Sequence, residues 1–119
     1  MRRLIVSPDA NRDKRSIFKT SLREFGEAAF TRYSALMKQA EFDVLENPER
    51  PGAQTRDGFS ADIRFYHIRH SLRRVPTTMR VIAPRHLLVF RFDDRLVEIV
   101  RVLHDAMDIA SHVESDDEP

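Results

Sequence analysis

The sequence predicts an α+β fold of element order β-α-α-β-β-β, in which a helical hairpin packs on a small, mostly antiparallel sheet. Three observations carry this prediction. Two amphipathic stripes are separated by Gly26 alone. Two β-rich runs, Arg85–Phe92 and Leu96–Leu103, flank the polar turn Asp93-Asp94-Arg95. A short apolar run, Arg3–Val6, stops directly before a helix-start signal.

That signal is Ser7-Pro8-Asp9: a serine to accept free amide hydrogens, a proline suited to the first helical position, and an acid favourable to the helix dipole. The first helix is expected to run to about Phe25, with Ala10, Ile17, Phe18, Leu22 and Phe25 recurring at helical spacing. Gly26 ends it, because glycine accepts the backbone conformation a C-cap needs. The second helix covers about Glu27 to Glu46 with the stripe Ala29, Tyr33, Leu36, Met37, Ala40, Val44 and Leu45. Asn47-Pro48-Glu49-Arg50-Pro51-Gly52 breaks it and opens a loop to about Ser60. Asp62–Arg69 reads as a strand, with Ile63 and Phe65 on one face and Tyr66 and Ile68 on the other. Ser71–Ala83 reads as a loop or ragged edge strand rather than a helix. The hairpin closes the fold. The domain spans 1–113, and 114–119 is an acidic tail expected to lack structure.

Composition narrows the function classes. At 119 residues the chain is one domain, and its 33% charged and 41% apolar content is that of a soluble globular protein. With no cysteine, neither a disulfide scaffold nor a thiolate metal site is available. No apolar run approaches the roughly 20 residues of a membrane helix, and Leu4-Ile5-Val6 is too short for a signal-peptide core. A soluble, cytoplasmic protein is expected. The net charge of +1 conceals an asymmetry: nine arginines against three acids between Arg64 and Arg101, then four acids and no base in the last six residues. Such a basic region suits an anionic partner, nucleic acid or an acidic protein surface, although a solvated face would look the same.

Candidate chemistry concentrates in the hairpin. His67 and His70 would point to opposite faces of an extended strand, and His104 with Asp105 and Asp108 matches no recognised metal-ligand spacing, so neither a metal nor any other cofactor is expected. Three glycines exclude a phosphate-cradling glycine loop. Acid–base chemistry on RNA needs a base, an acid and cations around a phosphate. His86, Arg91, Arg101 and His104 could supply these from adjacent strands, though histidine beside arginine is also common on inert surfaces. Tyr33 and Tyr66 read as core.

With those residues in view, the chain resembles the RelE/ParE superfamily of bacterial toxin–antitoxin toxins, on its ParE side, from about Leu4 to Val113. Ser7-Pro8 with Ala10, Asp13 and Ile17 is similar to the first-helix pattern. Phe25-Gly26-Glu27, Arg32-Tyr33 and Asn47-Pro48 match the hairpin and its exit. Most specific are Pro84-Arg85-His86 through Phe90-Arg91, then Glu98 through His104, and Asp108. Two departures stand out: Lys14 where the family usually has leucine, and a long stretch from His70 to Ala83. The resemblance implies a toxin neutralised by a small cognate antitoxin from an adjacent gene, inhibiting DNA gyrase by binding, without catalysis. Its target surface would comprise Arg85, His86, Arg91, Arg101, His104 and Asp108. A groove beside the hairpin, with Ile17, Phe18 and Leu22, would take the antitoxin, although the core reading of the same residues is favoured. Removing the chain beyond Leu103 is expected to abolish toxicity and spare the fold. The alternatives are a ribosome-dependent mRNA endonuclease of the RelE type, using Arg91, Arg101 and His104, or a non-toxic antitoxin-binding module. RelE-type relatives usually carry a histidine, lysine or tyrosine constellation around the last strand and tail. After Leu96 this chain has His104 and His112 but neither tyrosine nor lysine, which favours the non-catalytic reading.

Overall fold

Strand β1 (Arg3–Val6), the helical segment α1 (Pro8–Glu46) and strands β2 (Ile63–His67), β3 (His86–Phe92) and β4 (Leu96–His104) make up the computed structural model, which describes residues 1–107 and 109–113. Short 3₁₀ helices occupy Ile68–Arg74, Thr77–Met79 and Ile109–Ser111. The sheet order is β1-β4-β3-β2, with β1 parallel to β4 and the other pairs antiparallel. This is the α+β architecture the sequence predicts. Asp108 and the acidic tail, Glu114–Pro119, lie outside the described residues.

Ser7 has extended backbone and its Oγ accepts the Ala10 amide hydrogen at 3.0 Å, with Pro8 opening the helix as expected. At Gly26 the backbone takes φ 88° and ψ 178°, a combination open essentially to glycine alone, and the chain reverses. The fold-back is visible across the two arms. Lys14 Nζ lies 2.7 Å from Glu41 Oε2, whereas in an unbroken helix residues 14 and 41 would sit roughly 40 Å apart. The Phe18 and Phe30 rings also meet edge to face at 5.7 Å. Lys14, the departure from the leucine usual at this place, therefore has a partner of its own.

The second arm supplies the main core. Leu36, Met37, Ala40 and Val44 are essentially inaccessible and pack against Leu88, Phe90, Val97, Ile99 and Val102. On the opposite face of the sheet Ile63, Phe65, Leu87, Val89 and Leu103 form a smaller cluster, covered by Phe59, Ile109 and Val113. Both faces of β3 are thus buried, which explains its unbroken Leu87-Leu88-Val89-Phe90. Of the first-arm stripe, Ala10, Ile17 and Phe18 reach the core, while Leu22 and Phe25 remain exposed at 45% and 71%. The predicted stripe is longer than the surface it covers.

The stretch 70–83 is neither a plain loop nor an edge strand. β2 stops at His67 because the His67 Nδ1 accepts the Arg69 amide hydrogen at 3.1 Å and caps the Ile68–Arg74 3₁₀ helix. That turn is anchored on a fully buried carboxylate. Asp43 accepts from Ser71 Oγ at 2.6 Å, Gln39 Nε2 at 2.8 Å and Arg74 Nε at 2.9 Å, and Tyr66 bonds Ser71 at 2.8 Å. A buried charge is tolerable only when so surrounded.

Candidate functional site at the His86–His104 end of the sheet

Only the first half of β4 has β1 beside it. Beyond Ile99 that edge is open, and the start of α1 closes it with side chains. Ser7 Oγ donates to the Val100 carbonyl at 2.8 Å. The Asp13 carboxylate accepts the Val102 amide hydrogen at 2.9 Å and grips the Arg101 guanidinium with both oxygens, at 2.8 and 3.0 Å. The β3–β4 register slips at Val89/Phe90 in the same region. Arg101 also donates to the His112 carbonyl at 3.3 Å, tying the terminal segment to the hairpin. The Asp13 partnership holds its proton even more firmly than usual.

At the far end of the same strands, His86 and His104 are cross-strand partners, with rings edge to face at 5.3 Å. Tyr33 descends from the second helical arm to meet them. Its hydroxyl accepts the Arg85 amide hydrogen at 3.1 Å and lies 2.5 Å from His86 Nδ1. Burial raises the Tyr33 phenol pKa, so it stays protonated and shares a hydrogen bond with His86. Burial, reinforced by His104, pushes the His86 pKa down to about 4, leaving a neutral ring at neutral pH. His104 Nδ1 in turn accepts the Ala106 amide hydrogen at 3.1 Å. Asp105 closes the cluster: its Oδ1 takes Arg85 Nη2 at 2.8 Å and its Oδ2 faces His67 Nε2 at 2.9 Å. Burial opposes its ionisation, but the bonds from His67 and Arg85 outweigh it and hold the carboxyl below its ordinary range.

The six residues predicted for the target surface do not form one patch. Arg85, His86 and His104 come together. Arg91 and Arg101 alternate onto the face that carries Leu87, Val89 and Leu103, opposite His86 and His104. Arg91 is also five residues along β3 from His86, roughly 16 Å, and pairs with Glu98 at 2.8 Å. The grouping of Arg91, Arg101 and His104 round one phosphate is therefore not what the fold produces. Asp108 lies outside the described residues. Among those described, no group of three or more histidines and acids could hold a metal ion, and no helix is long and apolar enough to cross a membrane.

Beside this cluster lies a groove of about 920 Å³, bounded by Ile17, Phe25, Tyr33, Arg80, Ile82 and Arg85 among others. Ile82 is fully exposed. Of the predicted antitoxin contacts, Ile17 lines this groove; Phe18 is turned towards Phe30, and Leu22 lies outside the lining. Sequence reasoning placed Tyr33 in the core and missed its role. The available signal was its hydroxyl, since a tyrosine in an apolar stripe still needs a polar partner.

Over residues 4–109 the chain matches the family described as the ParE toxin of the type II toxin–antitoxin system, parDE. No curated protein matches it. Among solved structures, a chain of the E. coli DinJ–YafQ toxin–antitoxin complex is similar at a TM-score of 0.49 and 16% identity, over 88% of this chain and 93% of that one. A mutant of E. coli YafQ is similar at the same TM-score and identity, over 89% and 96%.

Proposed function

Because the chain belongs to the ParE toxin family of type II toxin–antitoxin systems, we propose that it acts on its target by binding, without a reaction of its own, and that the target is DNA gyrase. The observation that supports this reading is the engagement of the hairpin arginines. Arg101 is clamped by Asp13 and Arg91 is paired with Glu98, on the face away from the histidines. The surface proposed for a target is the end carrying Arg85, itself paired with Asp105, and His104, whose side chains are 58% and 41% exposed. A supercoiling assay with purified gyrase tests it: the full chain should abolish supercoiling, and its expression should give filamentous growth arrest. Undiminished supercoiling at saturating protein overturns the gyrase reading.

A cognate antitoxin completes the proposal. The groove offers apolar anchors (Ile17, Phe25, Val81, Ile82) between the cations Arg32, Arg80 and Arg85. An amphipathic helix with an acidic border fits such a surface. Ile82→Asp with Phe25→Asp should release the product of the adjacent gene in a co-purification, with little loss of stability because both side chains are exposed.

The second reading, mRNA cleavage, has one observation in its favour: Tyr33, His86 and His104 form the tyrosine–histidine constellation that the strand sequence alone lacks. Transcript cleavage in a translating extract that disappears in His104→Ala, with supercoiling intact, would establish it.

A further inference from the structure

Asp105 lines a second concavity, separate from the groove and about 180 Å³ in volume, whose polar walls are Gln54, Arg56, His67, Arg69, His70 and Asp105. Its electrostatics are unusual for a surface hollow. The one acid is already satisfied on both oxygens, by His67 and by Arg85. His67 is likewise used up: Nδ1 accepts from the Arg69 amide and Nε2 faces Asp105. The two arginines are in the opposite condition. The Arg56 guanidinium lies over the Phe65 ring at 4.6 Å, and neither it nor the Arg69 guanidinium has an acidic partner among the described residues. His70 forms a held wall rather than a loose side chain. Gly52, at φ +98°, passes beneath its ring so closely that a β-carbon there would fall 2.8 Å from the imidazole. The ring also packs on Tyr66 at 5.5 Å.

We propose that this pocket binds a phosphate group, with Arg56 and Arg69 gripping its oxygens and Gln54 and His70 completing the donor set. A carboxylate can be satisfied by one guanidinium fork. Two guanidinium groups plus an amide and an imidazole on different walls match an anion with oxygens pointing several ways. The stacking of Arg56 on Phe65 pre-orients its fork, and the pairing of Asp105 with Arg85 offsets the one negative charge in the lining. The phosphate belongs either to a polynucleotide backbone or to a free phosphate or nucleotide. The assignment does not depend on gyrase being the target.

Two-dimensional amide NMR of the full chain, titrated with inorganic phosphate and with a short single-stranded oligonucleotide, tests it. Shifts confined to Gly52, Gln54, Arg56, Arg69 and His70 are expected, and Arg56→Gln with Arg69→Gln should weaken binding by about tenfold or more, since each removes charge-assisted bonds. Both residues are exposed, so the variant should lose no more than the Arg56–Phe65 stacking, and a cooperative unfolding transition only slightly below that of the unmutated chain serves as the folding control. Oligonucleotide binding whose salt dependence falls in the variant identifies a backbone phosphate; saturation by phosphate with no gain from the oligonucleotide identifies the free anion. Equal affinity in the variant, or shifts elsewhere with none at these residues, overturns the proposal.

Discussion

Replacing His86 should flatten the dependence of stability on pH. In the native state its pKa is lowered from 6.5 to about 4, by burial first and then by His104. The unfolded chain takes up that proton near 6.5, whereas the folded one resists until about 4. Between those values the unfolded state binds more protons, so stability is full above about 6.5, falls as pH is lowered, and stops falling below about 4. The shift corresponds to roughly 3 kcal/mol at about 1.4 kcal/mol per unit. The ring is only half-buried, and solvent screening reduces this to about 1.5–2 kcal/mol. Burial lowers His67 and His70 in the same direction, so the wild-type slope alone is a composite. The depressed carboxyls Asp93 and Asp105 act lower, as pH falls below the ordinary carboxylate range, and stay out of this window. The comparison with His86→Phe isolates the term. That variant keeps the ring volume and loses the Tyr33 partner equally at every pH. Urea denaturation at about pH 7 and about pH 4.5 should show wild type losing about 1.5–2 kcal/mol more than the variant. Equal losses in both would refute the burial argument for His86.

Three further perturbations probe the frame that positions the site. Asp13→Ala leaves the Arg101 guanidinium and the Val102 amide without their acceptor and should cost about 3–4 kcal/mol in chemical denaturation; a cost under about 1 kcal/mol would show that water replaces the clamp. Gly26→Ala places a β-carbon on a φ of 88° and should cost about 1–3 kcal/mol by strain alone, since nothing crowds the position. Ending the chain after His104 removes Ile109 and Val113 from the Leu87–Val89–Leu103 cluster, a loss of roughly 1.5–3 kcal/mol for each well-buried side chain. The expectation that cutting beyond Leu103 spares the fold is corrected by this packing, so lost toxicity in that truncation would report unfolding.

How much of this was legible in the sequence divides along the range of the interactions. Periodicity, caps and turn residues act over a few neighbours, so Ser7-Pro8, Gly26, the Asn47-Pro48 break and the Asp93-Asp94-Arg95 turn could be read directly and gave the α+β order. Strand β3 was legible too, because burial on two faces leaves an unbroken apolar run. The site was not. Asp13 with Arg101 spans 88 positions and Tyr33 with His86 spans 53, and no local pattern encodes partners so far apart. The sequence by itself determined which elements exist and which residue types they carry. Tertiary structure decided which faces those residues share: strand alternation and the closing of the β4 edge separate Arg91 and Arg101 from the histidines, while the helical hairpin delivers a tyrosine from the other layer to complete the cluster.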